Sequence, residues 1–354
     1  MSEKVMVKGT EAIAEAAIRA GCRHYFGYPI TPQSELTEYM ARRFGDGDMN
    51  ETFLQAESEV SAVNMVYGAS CTGKRVMTST SSPGYSLMQE GMSYLAGAEL
   101  PSVFVNVTRG GPGLGDIQPA QSDYFQAVKG GGHGDYKLIV YGPESLQESV
   151  ELTVKSFEVA DKYRTPVLIM ADGLLGQMME PVEFPDYVDL DSLEKHSDWA
   201  LQGSNKERPA HRVTSFNIDP YGLEEMNNRY QAKYREIEKN EKMYEEYMLD
   251  DADVVIVAYG TIGRIAKSVA KMAREKGIKA GVFRPITLWP YPYEELGSHA
   301  EKAKLFFTVE MSAGQMLEDV KLSVNGKVPV EFYGRTGGVV PTPGEIFSKL
   351  MELV

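Results

Sequence analysis

Short apolar runs alternate with amphipathic stretches along the first half of the chain, and this alternation constrains the fold more than any other feature. Strands that alternate with helices form a parallel sheet covered by crossover helices, so the pattern predicts an α/β fold. The predicted strands are Arg23–Tyr28, Thr52–Gln55, Val76–Ser79, Val103–Thr108, Leu138–Tyr141 and Val167–Ala171. The predicted helices are Thr10–Ala20, Thr31–Phe44 with Thr31 as N-cap, Glu59–Ser70, Tyr85–Ala98 and Glu144–Tyr163.

The second half predicts two further parts. Residues 186–250 have the composition of a connecting arm that ends in a charged amphipathic helix, predicted over Leu223–Met248. A second alternating region follows, so we divide the chain into 1–185, 186–250 and 251–354. The strands predicted in the last part are Asp253–Tyr259, Lys279–Arg284 and Phe306–Glu310, and its helices are Gly260–Lys276 and Gly344–Leu353.

Composition and charge exclude several classes of function. The net charge of −14 argues against nucleic acid as a partner, because an acidic surface repels phosphate backbones. No apolar run approaches the ~20 residues of a membrane-spanning helix. The segment Met1–Lys8 lacks the apolar core of a secretory signal, so we expect a cytoplasmic protein. Cys22 and Cys71 are too few to ligate an iron–sulfur cluster, and the histidines show no metal spacing, so we predict no metal site here.

Reactive side chains follow three of the predicted strands. They lie in Gly27–Glu35 (GYPITPQSE), Gln55–Ala62 (QAESEVSA) and Val105–Gly113 (VNVTRGGPG). Ligands of open parallel sheets bind at the carboxyl ends of the strands. The three segments therefore predict one site at this edge of the sheet.

Together these segments resemble the alpha subunit of the 2-oxoacid:ferredoxin oxidoreductases, which use thiamine diphosphate, coenzyme A and ferredoxin. Thr78–Gly84 (TSTSSPG) and Leu87–Glu90 lie between them in the family's order. The resemblance implies a parallel-sheet domain of the thiamine-diphosphate pyrimidine-binding type, followed by an α/β domain like the C-terminal domain of transketolase. Gln126–Asp135 and Gly176–Pro181 most resemble the branched-chain, 2-oxoisovalerate (3-methyl-2-oxobutanoate) subtype.

By this resemblance, Glu59 is the catalytic carboxyl group that bonds the pyrimidine ring of the cofactor and exchanges a proton with it. A sheltered position suits that role. Val60, Ala62 and Val63 are expected to shelter Glu59, and Glu57 is the competing candidate. The alternative reading of Glu59 is an acidic residue that merely favours a helix N-terminus.

The resemblance also implies a substrate side and a cofactor side. Thr31 and Arg109 match the family's substrate-binding residues, and a guanidinium can hold a carboxylate with two hydrogen bonds. A helix cap for Thr31 and a surface salt bridge for Arg109 are the structural alternatives. The remaining implied contacts are Pro29 and Ile30 on the substrate side, and Tyr28, Ser82 and Gly84 on the cofactor side.

Several parts of such an enzyme are missing from this chain. The resemblance assigns only the pyrimidine half of the cofactor site to the alpha subunit, with the diphosphate and Mg²⁺ on a beta subunit. It assigns the iron–sulfur clusters to other subunits, and it implies a gamma subunit and a ferredoxin-like delta subunit. Gly45–Gly47 (GDG) begins like the magnesium motif, but the Asn that completes that motif is absent, so we predict a polar turn.

The implied reaction converts a 2-oxo acid, coenzyme A and oxidised ferredoxin to acyl-CoA, CO₂ and reduced ferredoxin, or runs in reverse. A branched-chain 2-oxo acid is the first candidate substrate. 2-Oxoglutarate is the second and would need another cation, for which Lys129 and His133 are available; pyruvate is the third. A hypothesis from a different class is a non-catalytic nucleotide-binding α/β module, which would leave the three strand-end segments unexplained.

Overall fold

The computed structural model describes residues 4–45, 51–204 and 208–354. Its strands are β1 (Val5–Lys8), β2 (His24–Gly27), β3 (Thr52–Gln55), β4 (Val76–Thr80), β5 (Ser102–Thr108), β6 (Ile139–Tyr141), β7 (Pro166–Asp172), β8 (Met179–Val182), β9 (Tyr244–Tyr247), β10 (Val254–Val257), β11 (Ala280–Pro285), β12 (Thr287–Trp289), β13 (Leu305–Glu310) and β14 (Val330–Gly334). Asp46 and Gly47 of the predicted polar turn lie outside the described residues.

The α-helices are α1 (Gly9–Arg19), α2 (Ser34–Gly45), α3 (Glu59–Ser70), α4 (Ser82–Leu87), α5 (Gln89–Gly97), α6 (Tyr124–Val128), α7 (Leu146–Tyr163), α8 (Gly173–Gln177), α9 (Pro220–Asn240), α10 (Gly260–Glu275), α11 (Tyr293–Ser298), α12 (Met316–Val324) and α13 (Pro343–Met351). Within the described ranges, two 3₁₀ helices cover Leu190–Ser192 and His299–Glu301. Among the helices of the described ranges, none combines the length and the apolar character needed to cross a membrane.

The larger sheet confirms the predicted α/β fold. Its strand order is β12-β6-β7-β5-β4-β2-β3, and every neighbouring pair is parallel except β12 with β6. Because successive side chains of a strand point to opposite faces, Val103 and Val105 pack against α1, α2 and α7, whereas Phe104 packs against α3 and α5. The centre of the sheet is therefore buried on both faces, and its strand ends remain as the place for a site.

The second sheet has the order β14-β13-β10-β11-β9. Its strands are parallel except for β9, which pairs antiparallel with β11 at the edge. Strand β12 comes from the same stretch of chain but joins the larger sheet, where Thr287 pairs with Tyr141. The two sheets are thereby connected, and one apolar core continues between them through residues such as Phe104 and Phe306.

The helix predicted over Leu223–Met248 is wrong at its C-terminal end. Helix α9 stops at Asn240, and Tyr244–Tyr247 form strand β9. The buried carboxylate of Glu241 accepts bonds from Lys155, Lys162 and Tyr163. These contacts fix the chain just beyond α9, where it leaves the helix to join the second sheet.

The single helix predicted over Tyr85–Ala98 is also wrong, because α4 ends at Leu87 and α5 begins at Gln89. In a continuous helix the carbonyl of Tyr85 would accept the backbone N–H of Gln89. The side-chain amide of Gln89 donates to that carbonyl instead, at 2.8 Å. The interruption follows α4, the short helix that carries Ser82 and Gly84 of the candidate site.

Candidate active site

The predicted site residues follow four neighbouring strands of the larger sheet. Tyr28, Pro29, Ile30 and Thr31 come after β2, Glu59 after β3, Ser82 and Gly84 after β4, and Arg109 after β5. The chain passes from β2 to its neighbour β3 toward one edge of the sheet, whereas it passes from β4 to its neighbour β5 toward the opposite edge. The connections therefore diverge between β2 and β4, and such switch points are where open α/β sheets bind ligands.

Glu59 is the first residue of α3, directly after the N-cap Ser58, whose hydroxyl accepts the Ser61 N–H at 3.3 Å. Only 4% of Glu59 is exposed. Its carboxylate makes no hydrogen bond or ion pair with any residue of the described ranges. A buried carboxylate without a partner is costly, so this group is suited to a ligand that supplies one.

The neighbours of Glu59 differ from the sequence prediction at one position. Ala62 and Val63 are buried beside it, but Val60 is 45% exposed and does not shelter it. Val60 lies next to Glu59 on the helix and therefore points in a different direction. The competing residue Glu57 is exposed and accepts the Ser61 hydroxyl at 2.6 Å.

Gly84 lies directly against the Glu59 carboxylate. A Cβ atom at this position would be 2.2 Å from Glu59 Oε1 and 2.2 Å from Thr80 Oγ1. The Thr80 hydroxyl is buried and has no hydrogen-bond partner within the described part of the chain. The absence of a side chain at Gly84 thus leaves two polar groups with unused bonding capacity in one small space.

Arg109 follows the last residue of β5 and is 7% exposed. Its Nη1 donates to the Thr31 carbonyl at 2.8 Å, and its Nη2 donates to the Leu114 carbonyl at 3.2 Å. Its Nε is buried and has no partner among the described residues. The guanidinium keeps unused N–H groups and is not consumed by a surface salt bridge.

Thr31 does not cap a helix, so the predicted start of the second helix is wrong. Gln33 N donates to the Ile30 carbonyl at 3.0 Å and closes a turn, in which Thr31 and Pro32 are joined by a cis peptide bond. This is the arrangement of a turn with cis-proline at its third position, and it precedes α2 at Ser34. Thr31, Tyr28 and Pro29 are exposed at the site, and Ile30 is half-buried.

Gln33 was not singled out from the sequence, although it fixes this turn. Its side chain is fully buried and donates to the Tyr28 carbonyl at 3.2 Å. The Ser79 hydroxyl donates to Gln33 Oε1 at 2.6 Å and also contacts the Tyr25 hydroxyl. The only indication of this role in the sequence is that Gln33 is a polar residue between Pro32 and the start of α2.

Asp123 is the second residue that the sequence did not reveal. Its Oδ2 accepts the Ser82 hydroxyl at 2.7 Å and the Asn106 amide at 2.8 Å. Burial raises the pKa of Asp123, while these two bonds and the charge of Arg109 act against that rise. Ser82 also accepts the Arg109 N–H at 3.0 Å, so Ser82 lies between Asp123 and Arg109.

The residues present fit the pyrimidine half of a thiamine diphosphate. Among the described residues, neither the Glu59 carboxylate nor the Thr80 hydroxyl beside Gly84 has a partner, and a ring with nitrogen donors and acceptors would supply one to the carboxylate. Within the described residues, no group of three or more His, Cys, Asp or Glu side chains could hold a metal ion.

Comparison with known proteins shows which family the chain belongs to. Residues 15–247 match the thiamine diphosphate-binding family model of pyruvate flavodoxin/ferredoxin oxidoreductase, and residues 252–346 match core domain II of pyruvate:ferredoxin oxidoreductase. The chain is similar to ketoisovalerate oxidoreductase subunit VorB of Methanothermobacter marburgensis, with 51% identity over 98% of this chain and 97% of the relative. It is 36% identical to 2-oxoglutarate synthase subunit KorA of the same organism, with full coverage of both chains.

The chain is also similar in structure to two solved proteins. A 2-oxoglutarate:ferredoxin oxidoreductase from Magnetococcus marinus, with 2-oxoglutarate, coenzyme A and succinyl-CoA bound, has a TM-score of 0.84 at 26% identity. The match covers 99% of this chain and 65% of that one. A split-gene transketolase shares the fold at a TM-score of 0.60 and 16% identity, with 98% of this chain and 97% of that one covered.

The fold and the family model that matches most of the chain are those of a thiamine diphosphate-binding class of enzyme. The chain belongs to the 2-oxoacid:ferredoxin oxidoreductase family, as a subunit.

Proposed function

We propose that this chain is the alpha subunit of an enzyme that oxidatively decarboxylates a branched-chain 2-oxo acid, 2-oxoisovalerate, to its acyl-CoA with reduction of ferredoxin. The observation that carries the proposal is the convergence of the unpaired Glu59 carboxylate, Gly84 and the Arg109–Thr31 contact on one edge of the sheet. The similarity to two ketoisovalerate oxidoreductase subunits at about half identity supports the branched-chain substrate.

On the cofactor side, thiamine diphosphate would supply the carbon nucleophile that adds to the 2-oxo group. Glu59 would hold a proton at the edge of the pyrimidine ring, with its carboxylate packed against Gly84. Tyr28 would cover the ring from the turn after β2. Ser82 would border the site through its main chain, because its hydroxyl is already used between Asp123 and Arg109.

On the substrate side, Arg109 would bind the carboxylate with the N–H groups that the Thr31 and Leu114 carbonyls leave free. The exposed Thr31 hydroxyl would donate to the 2-oxo oxygen, and Pro29 and Ile30 would line the same turn. Arg109 and Thr31 are already joined by a hydrogen bond, which keeps both groups on one side of the site.

A partner subunit would complete the site. Large apolar side chains remain exposed around the strand ends, and we name them the apolar rim: Leu54, Val60, Leu87, Ile117 and Leu174. Exposed apolar groups that surround a polar site are typical of a protein interface. We assign the rim to a beta subunit that carries the diphosphate and Mg²⁺ half of the site.

Further partners follow from the chemistry. The two cysteines are buried with free thiols, so the iron–sulfur clusters would lie on other subunits, including a ferredoxin-like delta subunit and a gamma subunit. Coenzyme A is bound in the Magnetococcus structure, which supports it as the acyl acceptor here. The division into 1–185, 186–250 and 251–354 and the cytoplasmic location stay predictions.

2-Oxoglutarate remains the second candidate substrate. It would need a second cation beside Arg109, but the Lys129 ammonium contacts the buried carboxylate of Asp319. His133 is exposed beside the ring of Tyr94. This pairing of Lys129 favours a substrate with one carboxylate.

The test is to purify the chain alone and together with its co-expressed partner subunits. The complex should reduce ferredoxin with 2-oxoisovalerate and coenzyme A, at a higher kcat/KM than with 2-oxoglutarate or pyruvate. The isolated chain should bind thiamine diphosphate and Mg²⁺ weakly and turn over no 2-oxo acid. Tight stoichiometric binding of thiamine diphosphate by the isolated chain would contradict the proposal that it holds only half of the cofactor site. A higher kcat/KM with 2-oxoglutarate than with 2-oxoisovalerate would contradict the proposed substrate.

A further inference from the structure

We propose that Asp123 is a positioning residue, which holds the backbone of Arg109 in place through the hydroxyl of Ser82. The proposal rests on the proposed role of Arg109 in binding the substrate carboxylate. It adds a residue from outside the strand-end segments to the machinery of the site.

The hydrogen bonds form a directed chain. The Ser82 hydroxyl has one hydrogen, which goes to Asp123 Oδ2 at 2.7 Å. Its lone pair is thereby left for the Arg109 N–H, which donates to Ser82 at 3.0 Å. Without the carboxylate, the hydroxyl could turn its hydrogen toward the Arg109 carbonyl, which lies 3.3 Å away. The Asp123 carboxylate therefore determines whether the Ser82 hydroxyl accepts a hydrogen bond from the Arg109 N–H or donates one to the Arg109 carbonyl.

Asp123 is itself held from two directions. The amide of Asn106, a fully buried residue of β5, donates to the same Oδ2 at 2.8 Å. On the other side, Gln315 donates to the Ser122 carbonyl at 2.7 Å and accepts the Phe125 N–H at 2.7 Å. Asp123 is thus fixed between β5 and the segment that precedes α12, and it can act as an anchor for Arg109.

The position of the guanidinium depends on this backbone. Arg109 N is the first main-chain donor after β5, and the side chain reaches from there to the Thr31 carbonyl. A shift of the backbone would move the guanidinium relative to Thr31 and thus to the substrate carboxylate. Loss of the anchor should accordingly weaken binding of the 2-oxo acid more than it slows the later steps.

The experiment compares Asp123→Ala, Asp123→Asn and the exposed control Asp186→Ala in the assembled complex. A hydrogen bond to a charged group changes a binding constant by about tenfold or more. We expect Asp123→Ala to raise the KM for 2-oxoisovalerate about tenfold, with kcat and the KM for coenzyme A changed less than about threefold. Asp123→Asn keeps an oxygen acceptor and should restore most of the lost affinity. Asp186→Ala should leave all three constants unchanged.

A double-mutant cycle with Arg109→Met tests whether Asp123 affects substrate binding through Arg109. If Asp123 acts through Arg109, Asp123→Ala should have almost no further effect on KM in the Arg109→Met complex. Calorimetric titration of 2-oxoisovalerate into the complex stripped of thiamine diphosphate measures the dissociation constant directly, because no turnover occurs. The effect of Asp123→Ala on this constant can then be compared with and without Arg109→Met. If Asp123→Ala prevents assembly, Ser82→Ala removes the same link and should show the same rise and the same dependence on Arg109.

An unchanged KM in an assembled Asp123→Ala or Ser82→Ala complex would overturn the proposal, as would an equal effect with and without Arg109. Failure of the proposed function gives a different result. In that case the wild-type complex would not turn over 2-oxoisovalerate, or Arg109→Met alone would leave its kinetics intact.

Discussion

The Glu59 carboxylate lies so close to the Cα atom of Gly84 that a Cβ atom on this glycine would be 2.2 Å from Glu59 Oε1. The two residues follow β3 and β4, the strands that lie on either side of β2 in the sheet. Their packing sets the position of the carboxylate, because no side chain at position 84 could fit beside it. The requirement for glycine at position 84 is therefore steric.

Replacing Gly84 with Ala should displace the Glu59 carboxylate or the Thr80 hydroxyl. We expect the complex to bind thiamine diphosphate at least ~10-fold more weakly, and overpacking to cost ~1–3 kcal/mol of stability. Calorimetry and thermal unfolding measure the two effects. Gly68→Ala is the control, because Gly68 lies in α3 with open space at its Cβ position and should gain ~0.5–1 kcal/mol. Equal behaviour of the two variants would contradict the steric account.

Replacing Arg109 with Met removes the charge-assisted bonds but keeps much of the side-chain volume. Such bonds contribute ~1.5–3 kcal/mol, so kcat/KM for the 2-oxo acid should fall roughly tenfold to a hundredfold. The exposed Arg235 of α9 is the matched control, and Arg235→Met should leave kcat/KM unchanged. Unchanged kinetics in a folded Arg109→Met complex would mean that another group holds the carboxylate.

A charge in the apolar rim should weaken assembly. Leu87 is 52% exposed at the end of α4, so Leu87→Asp should leave the isolated chain folded and weaken its binding to the partner subunit by at least ~10-fold. Size-exclusion chromatography at several concentrations measures the effect. Leu322→Asp places the same charge on α12, where a leucine is also exposed, and should leave assembly intact. Normal assembly of Leu87→Asp would remove this residue from the interface.

The junction after α9 should lose stability at acidic pH. Burial alone would raise the pKa of Glu241, but bonds from Lys162, Tyr163 and Lys155 outweigh it and leave the pKa lowered. A carboxyl group with a lowered folded pKa stabilises the fold above its unfolded pKa of ~4.3, and this contribution disappears as the pH falls through the folded pKa.

Glu241→Gln should therefore cost ~1–3 kcal/mol in urea unfolding at pH 7, and the difference from the wild type should shrink below about pH 4. Glu236→Gln, on the exposed face of the same helix, should change little at either pH. A cost for Glu241→Gln that is independent of pH would show that shape, not charge, stabilises the junction.

Strands β2 to β7 of the larger sheet could be predicted from sequence because each is a short run with apolar residues, bounded by turn residues. Thr52–Gln55 was predicted with its observed bounds, as was helix Glu59–Ser70. Strands β9 and β12 could not be predicted in this way. Strand β9 has two acidic residues between two tyrosines and no apolar run, and β12 joins the larger sheet through a pairing that only the tertiary structure determines.

The candidate site was predictable where reactive residues directly follow strands. Arg109 and Glu59 belong to this group, and their positions follow from the alternation of strands and helices. Asp123 comes well after β5 and reaches Ser82 only because its segment folds back, so spacing gave no signal. Thr31 had the residue pattern of a helix cap, but the turn closed by Gln33 outweighs that local preference.

Exchange of the thiamine diphosphate C2 proton with deuterium, followed by NMR on the assembled complex, tests the central role of Glu59 most directly. Glu59→Gln keeps the shape of the side chain and its place in α3 but cannot exchange a proton. We predict that this variant still assembles and binds the cofactor, while exchange slows by at least ~10²-fold. The exposed Glu57→Gln should leave the rate unchanged. A normal exchange rate in Glu59→Gln would contradict the account.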